Sequence, residues 1–81
     1  MTVEIYGAAW CSYCTKATEL CNTHNIRYLN YDVDNFYNMQ ELHDRLEGKL
    51  PRTVPQIFID DIHIGGYNEL KEALDGTSEE D

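Results

Sequence analysis

Positive charge is scarce in this chain. Six Lys and Arg stand against 15 Asp and Glu, a formal net charge of −9. Partners of nucleic acid and of anionic membranes concentrate Lys and Arg, so neither kind of partner is expected. Long apolar runs are missing too. Nothing approaches the roughly 18–20 residues that a membrane span needs. Met1-Thr2-Val3-Glu4-Ile5-Tyr6 lacks a basic region followed by an apolar stretch, so no secretory leader is expected and the cytoplasm is the default location. An even cysteine count is also lacking: three cysteines cannot form a fully paired disulfide framework. What remains is one small domain of 81 residues, with a soluble, globular composition.

Thr2-Val3-Glu4-Ile5-Tyr6 alternates and is rich in β-branched and aromatic residues, which predicts a strand. Gly7-Ala8-Ala9 reads as a loop, and a helix follows from about Ser12 to Asn25. Cys14, Ala17, Thr18 and Cys21 form its inward stripe. Arg27 to Val33 alternates again as a second strand, and Asp34-Asn35 signals a turn into a helix. Met39, Leu42, His43 and Leu46 recur at helical spacing, with Gly48 as the terminator. Pro55 opens the strand Gln56-Ile57-Phe58-Ile59, and Asp60-Asp61 turns the chain into Ile62-His63-Ile64. Gly65-Gly66 breaks the pattern before a last helix marked by Tyr67, Leu70 and Leu74 and closed by Gly76. Residues 77–81 read as an acidic disordered tail after a domain of residues 1–76. The order β-α-β-α-β-β-α predicts an α/β fold, one four-stranded mixed sheet with three helices on its faces.

Cys11-Ser12-Tyr13-Cys14 carries the chemistry. Cys11 precedes the first helix, where unpaired N–H groups and the helix dipole favour negative charge, so it is the candidate attacking thiol. Cys14, one turn inside, can attack a mixed disulfide formed on Cys11. Cys11, Cys14, Cys21 and His24 could also be taken for a zinc knuckle. Cys14 and Cys21 on one helix, however, lie roughly 10 Å apart along its axis. Sulfurs sharing a tetrahedral zinc must approach to about 3.8 Å. No metal site is expected from this string. Cys21 reads as a small core residue, and His24, His43 and His63 as surface or packing residues.

Together, Cys11-Ser12-Tyr13-Cys14, Thr53-Val54-Pro55 and Gly65-Gly66-Tyr67-Asn68 resemble the glutaredoxins, in order and spacing, over about residues 2–75. The resemblance implies a thioredoxin-like fold and a glutathione-disulfide oxidoreductase active in cell redox homeostasis and electron transport. Such an enzyme reduces protein disulfides and glutathione mixed disulfides, with Cys11 and Cys14 as the redox-active centre. It implies a cis proline at Pro55, with Val54 offering its backbone to the cysteinyl part of glutathione. Free N–H groups after Gly66 would take the γ-glutamyl carboxylate. Without the resemblance, Gly65-Gly66 is a plain turn with Asn68 as helix cap. Tyr13, Arg52, Thr53, Val54, Pro55, Gly66, Tyr67, Asn68 and Glu69 are thus the expected glutathione-binding residues.

Glutathione would be a cosubstrate, with no tightly bound cofactor, and ribonucleotide reductase is an implied protein partner of an expected monomer. Two other readings stay open. One is a carrier holding a [2Fe–2S] cluster between two protomers through Cys11 of each and two glutathiones, a form met in relatives with Ser after the first cysteine. The other is a redoxin driven by thioredoxin reductase. Two departures stand out: Ala8 occupies a position often Lys or Arg, and Glu69 stands where the family has Asp. Lys16 and Arg52 remain as candidate cations for the thiolate and the glycyl carboxylate, so weaker glutathione binding than in a more basic relative is expected.

Overall fold

Alternating side chains make Val3–Gly7 a strand, β1, one residue longer at its far end than the sequence pattern suggests. It is followed by α1 (Ser12–Thr23), β2 (Tyr28–Asp32), α2 (Phe36–Arg45), β3 (Gln56–Ile59), β4 (Ile62–Gly65) and α3 (Tyr67–Asp75). The computed structural model describes residues 1–76; the expected acidic tail at 77–81 lies outside the described residues. The strands form one sheet in the order β2-β1-β3-β4, with β1 parallel to β2 and the other two pairs antiparallel. The predicted four-stranded mixed sheet and its element order are therefore observed.

Where the helices stop differs from the sequence pattern, and the cause is local. Asn25 takes a left-handed backbone (φ 55°), so α1 closes at Thr23 and Ile26 N–H returns to the Cys21 carbonyl at 2.9 Å. Asn35 caps α2 as expected, its side chain accepting from Tyr37 and Asn38 N–H. That helix ends at Arg45, before Gly48, because Glu47 as well as Gly48 is left-handed. Asp60 and Asp61 both have positive φ, the geometry of a type I′ hairpin turn between β3 and β4. Gly66, and not Asn68, is the cap of α3.

Strand alternation divides the interior in two. Val3 and Ile5 of β1, Ile57 of β3, Ala17 and Cys21 of α1 and Leu70 of α3 pack on one face of the sheet. Cys21 is fully buried there, as its place on the helix stripe suggests. On the other face Tyr6, Phe58 and Val33 pack with Leu42 of α2, and this cluster runs up to Ala8, Cys11 and Cys14. Charge is threaded through that second face. Arg45 Nη1 donates to Tyr6 Oη at 2.9 Å and Nη2 to Glu4 Oε1 at 3.0 Å, while the guanidinium lies 3.8 Å from the Phe58 ring centroid. Tyr6 O–H donates to Glu41. Burial first, then that hydrogen bond, push the Tyr6 hydroxyl up to about 12.

Two tests follow from the packing. A Cβ at Gly7 would lie 2.8 Å from Cys14 Sγ and 3.0 Å from Cys14 Cβ, closer than packed atoms stand. Gly7→Ala should therefore overpack the β1–α1 contact and cost about 1–3 kcal/mol, read by urea denaturation. The second test concerns Asp75, which accepts from Lys71 Nζ at 2.8 Å and pairs with His24 at the end of α1. Those two hydrogen bonds, Lys71 foremost, hold its carboxyl below the usual carboxylate range. A carboxyl depressed on folding adds stability above its ordinary pKa and loses it as pH falls through the depressed value. Asp75→Asn should lower Tm at neutral pH, and the gap to the parent should close in acid.

Candidate functional site

The end of β1 delivers the chain to Ala8-Ala9-Trp10, and Cys11 N–H donates to Ala8 O at 3.1 Å to close that turn. Cys11 is then the cap residue of α1, with extended backbone (φ −98°, ψ 113°). Its sulfur does what a capping oxygen does elsewhere: Cys14 N–H donates to Cys11 Sγ at 3.2 Å. Opposite the helix, Cys11 Sγ lies 3.5 Å from Val54 O, to which the thiol can donate. Val54 is joined to Pro55 by a cis bond, so the proline expected to be cis is cis. A sulfur so held has a helix-end N–H on one side and a bent loop on the other.

Cys14 sits one turn deeper, 5% exposed against 8% for Cys11. Burial, then the hydrogen bond to Cys11, push the Cys14 thiol up to about 12, while a hydrogen bond with the Ala8 backbone pulls the other way. Cys11, Cys14 and Cys21 are all free thiols. Cys21 lies in the opposite core cluster from the other two, and burial raises its pKa as well. Among the described residues, no three His, Cys, Asp or Glu side chains gather into a group that could hold a metal ion.

Beside the cis bond a cleft of about 310 Å³ opens between the Thr53-Val54-Pro55 loop and the start of α3. It is lined by Tyr13, Thr53, Val54, Pro55, Gly66, Tyr67, Asn68 and Glu69. Eight of the nine residues expected to bind glutathione thus share one cleft. Arg52 is the exception. It lines a neighbouring hollow of about 250 Å³ with Trp10, Asp34 and Met39, and the two hollows have Thr53 and Val54 in common. Tyr13 and Tyr67 meet at the cleft with ring centroids 5.7 Å apart, and Lys16 Nζ lies 4.8 Å from the Tyr13 centroid. Lys16 is therefore engaged with the aromatic wall. Glu69 turns back, its Oε1 accepting from Gly66 N–H at 2.8 Å, and covers part of the α3 N-terminus. A larger hollow of about 640 Å³ lies elsewhere, by Met1, Asn22 and Tyr28, and is lined by no cysteine.

Three features of this region escape a reading of the sequence. Trp10 is 71% exposed beside Cys11, its indole Nε1–H reaching Asp34 at 3.3 Å. Gly7 packs directly behind Cys14, where the run of small residues Gly7-Ala8-Ala9 was its only signal. Gln56, the first residue of β3, reaches back to the Thr53 carbonyl.

A family model described as glutaredoxin matches residues 3–64. Glutaredoxin 1 of Rickettsia felis is 41% identical over 69 residues, covering 85% of this chain and 68% of the relative. Among solved structures, glutaredoxin 1 of Francisella tularensis complexed with cacodylate superposes with a TM-score of 0.74 at 36% identity, over 93% of each chain. A buckwheat glutaredoxin–glutathione complex superposes with a TM-score of 0.70 at 25% identity, over 91% of this chain and 69% of that one. The fold, the cysteine pair at the head of α1 and these matches agree: the chain belongs to the glutaredoxin family of thiol-disulfide oxidoreductases.

Proposed function

We propose that this protein is a glutathione-dependent oxidoreductase that reduces protein disulfides and glutathione mixed disulfides, with Cys11 as nucleophile and Cys14 as resolving thiol. One observation carries the proposal: the Cys11 sulfur sits between the Cys14 N–H and the Val54 carbonyl, at the edge of the cleft where the expected glutathione residues converge.

The roles of the two cysteines follow from their surroundings. Burial and the hydrogen bond to Cys11 raise the Cys14 pKa, which disfavours its thiolate and leaves Cys11 to open the disulfide. Cys11 attacks one sulfur of the substrate disulfide, a new S–S bond forms, and the other sulfur leaves as a thiolate. Consuming the Cys11 sulfur removes two of the influences that raise Cys14, its hydrogen bond and its charge. Cys14 then attacks Cys11, releasing the second substrate thiol and leaving a Cys11–Cys14 disulfide. Two glutathiones return that disulfide to the dithiol and leave as glutathione disulfide. With a glutathionylated substrate, a second glutathione can resolve the Cys11 adduct directly.

For the ligand, the Val54 backbone would pair with the cysteinyl unit and the α3 N-terminus would take the γ-glutamyl carboxylate. Tyr13 and Tyr67 would wall the peptide, and Arg52 would meet the glycyl carboxylate from the adjoining hollow. Glu69 already accepts one N–H at that helix end, so its negative charge would oppose the incoming carboxylate. With nine excess negative charges on the chain, this favours modest affinity for glutathione. Ribonucleotide reductase remains a candidate protein target. The reaction needs a glutathione-rich reducing compartment, which makes the cytoplasm the expected setting.

Turnover of a glutathionylated peptide with glutathione and glutathione reductase tests the proposal. Cys11→Ser should abolish it and Cys14→Ser should keep most of it; the reverse pattern would exchange the two roles. A side chain at Gly66 would point at Pro55 O, which a Cβ would approach to 3.4 Å. Gly66→Val should therefore narrow the cleft and raise KM for the glutathionylated peptide several-fold. An unchanged KM would remove glutathione from this cleft.

A further inference from the structure

Cys11 and the cleft account for the motif residues, but not for a chain of side chains behind the Thr53-Val54-Pro55 loop. Gln56 Nε2 lies 2.8 Å from Thr53 O and 3.4 Å from Thr53 Oγ1. His63 Nε2 lies 2.7 Å from Gln56 Oε1. The direction of these bonds is fixed by chemistry. A carbonyl can only accept, so Gln56 must turn its NH2 to Thr53 and its oxygen to His63. His63 must then carry a proton on Nε2. Its ring is held in turn against buried Phe58, with centroids 5.1 Å apart.

The consequence lies in one peptide plane. Thr53 C=O and Val54 N–H belong to the same trans peptide unit, in which the two groups point in opposite directions. Holding the Thr53 oxygen from the Gln56 side therefore turns the Val54 N–H to the other side. Among the described residues that N–H donates to no other group. The next carbonyl along, Val54 O, faces Cys11 Sγ at 3.5 Å. Any disulfide that reaches Cys11 brings its own cysteinyl backbone beside Val54.

We propose that Gln56, backed by His63, is a positioning residue that sets the Thr53–Val54 peptide plane so that Val54 N–H meets the backbone of the disulfide substrate. The proposal deepens the glutathione reading and rests on its use of the Val54 backbone, but it applies to any disulfide. Neither side chain touches the substrate. Their effect is on the half-saturating concentration and not on sulfur exchange at Cys11.

Two substrates separate this proposal from the glutathione reading: a glutathionylated peptide in the coupled assay, and a peptide closed by an internal disulfide, reduced in single turnover by the pre-reduced protein. Gln56→Met removes both hydrogen bonds at similar length. Gln56→Glu keeps the acceptor for His63 but cannot donate to Thr53. Both should raise the half-saturating concentration about two- to tenfold for both substrates, the range of one lost hydrogen bond. Limiting rates and the rate of Cys11 alkylation by iodoacetamide should stay near the parent's. His63→Phe should show a smaller rise, and His63→Gln, which still donates, should restore the parent value. Unchanged half-saturation in both Gln56 variants would overturn the proposal, as would a lower limiting rate at unchanged half-saturation. If the parent reduces the internal disulfide but not the glutathionylated peptide, glutathione dependence falls, and the internal-disulfide arm alone decides the role of Gln56.

Discussion

The first turn of α1 is fixed from three directions at once. Ala8 O holds the Cys11 N–H, Cys14 N–H holds the Cys11 sulfur, and the cis Val54–Pro55 bond brings the Val54 carbonyl up to that sulfur from across the sheet. Each partner comes from a different element. Ala8 follows β1, Cys14 belongs to α1, and Val54 precedes β3. β1 and β3 are hydrogen-bonded neighbours at the centre of the sheet, so Cys11 and the loop that faces it are carried by the two innermost strands. Rigid neighbours suit a reaction in which a sulfur must meet another in line.

Ion pairs knit the scaffold at two other places. Arg45 gathers Glu4, Tyr6 and Asp61 on the α2 face, and His24 and Lys71 gather on Asp75 where α1 and α3 end. In so acidic a chain Arg45 and Lys71 neutralise carboxylates that would otherwise repel each other. Arg52 is left beside the hollow that adjoins the cleft, and Lys16 over the tyrosine wall. At the head of α1, burial and the hydrogen bond to Cys11 raise the Cys14 thiol, while the Cys11 sulfur accepts the Cys14 N–H.

Much of this was legible from spacing. Alternation located β1 and β2, while the apolar run after Pro55 and the Asp60-Asp61 turn located β3 and β4. Cys11 and Cys14 announced the head of α1, and Thr53-Val54-Pro55 with Gly65-Gly66 marked the two walls of the cleft. Helix ends were less legible. Asn25 and Glu47 are left-handed for reasons of closure that only the folded chain supplies, so α1 and α2 stop short of the residues that propensity pointed to. The cap of α3 was misplaced because Gly66 has no side chain to signal it, and Glu69 supplies the reciprocal bond alone. The Gln56–His63 pairing depends on the β3–β4 register and its irregularity at Ile57 and Phe58, which no local pattern encodes. Arg52, expected as a cation for the glycyl carboxylate, lines two other hollows and not the cleft itself.

The central claim is that Cys11, and neither of the other thiols, meets the substrate first. Brief exposure of the reduced Cys14→Ser and Cys11→Ser proteins to glutathione disulfide, followed by acid quench and peptide mapping by mass spectrometry, reads this directly. The account predicts a single glutathione adduct on Cys11 in the first protein, none on Cys14 in the second and none on Cys21 in either. An adduct on Cys21, or a Cys11 left free while glutathione disulfide is consumed, would contradict it.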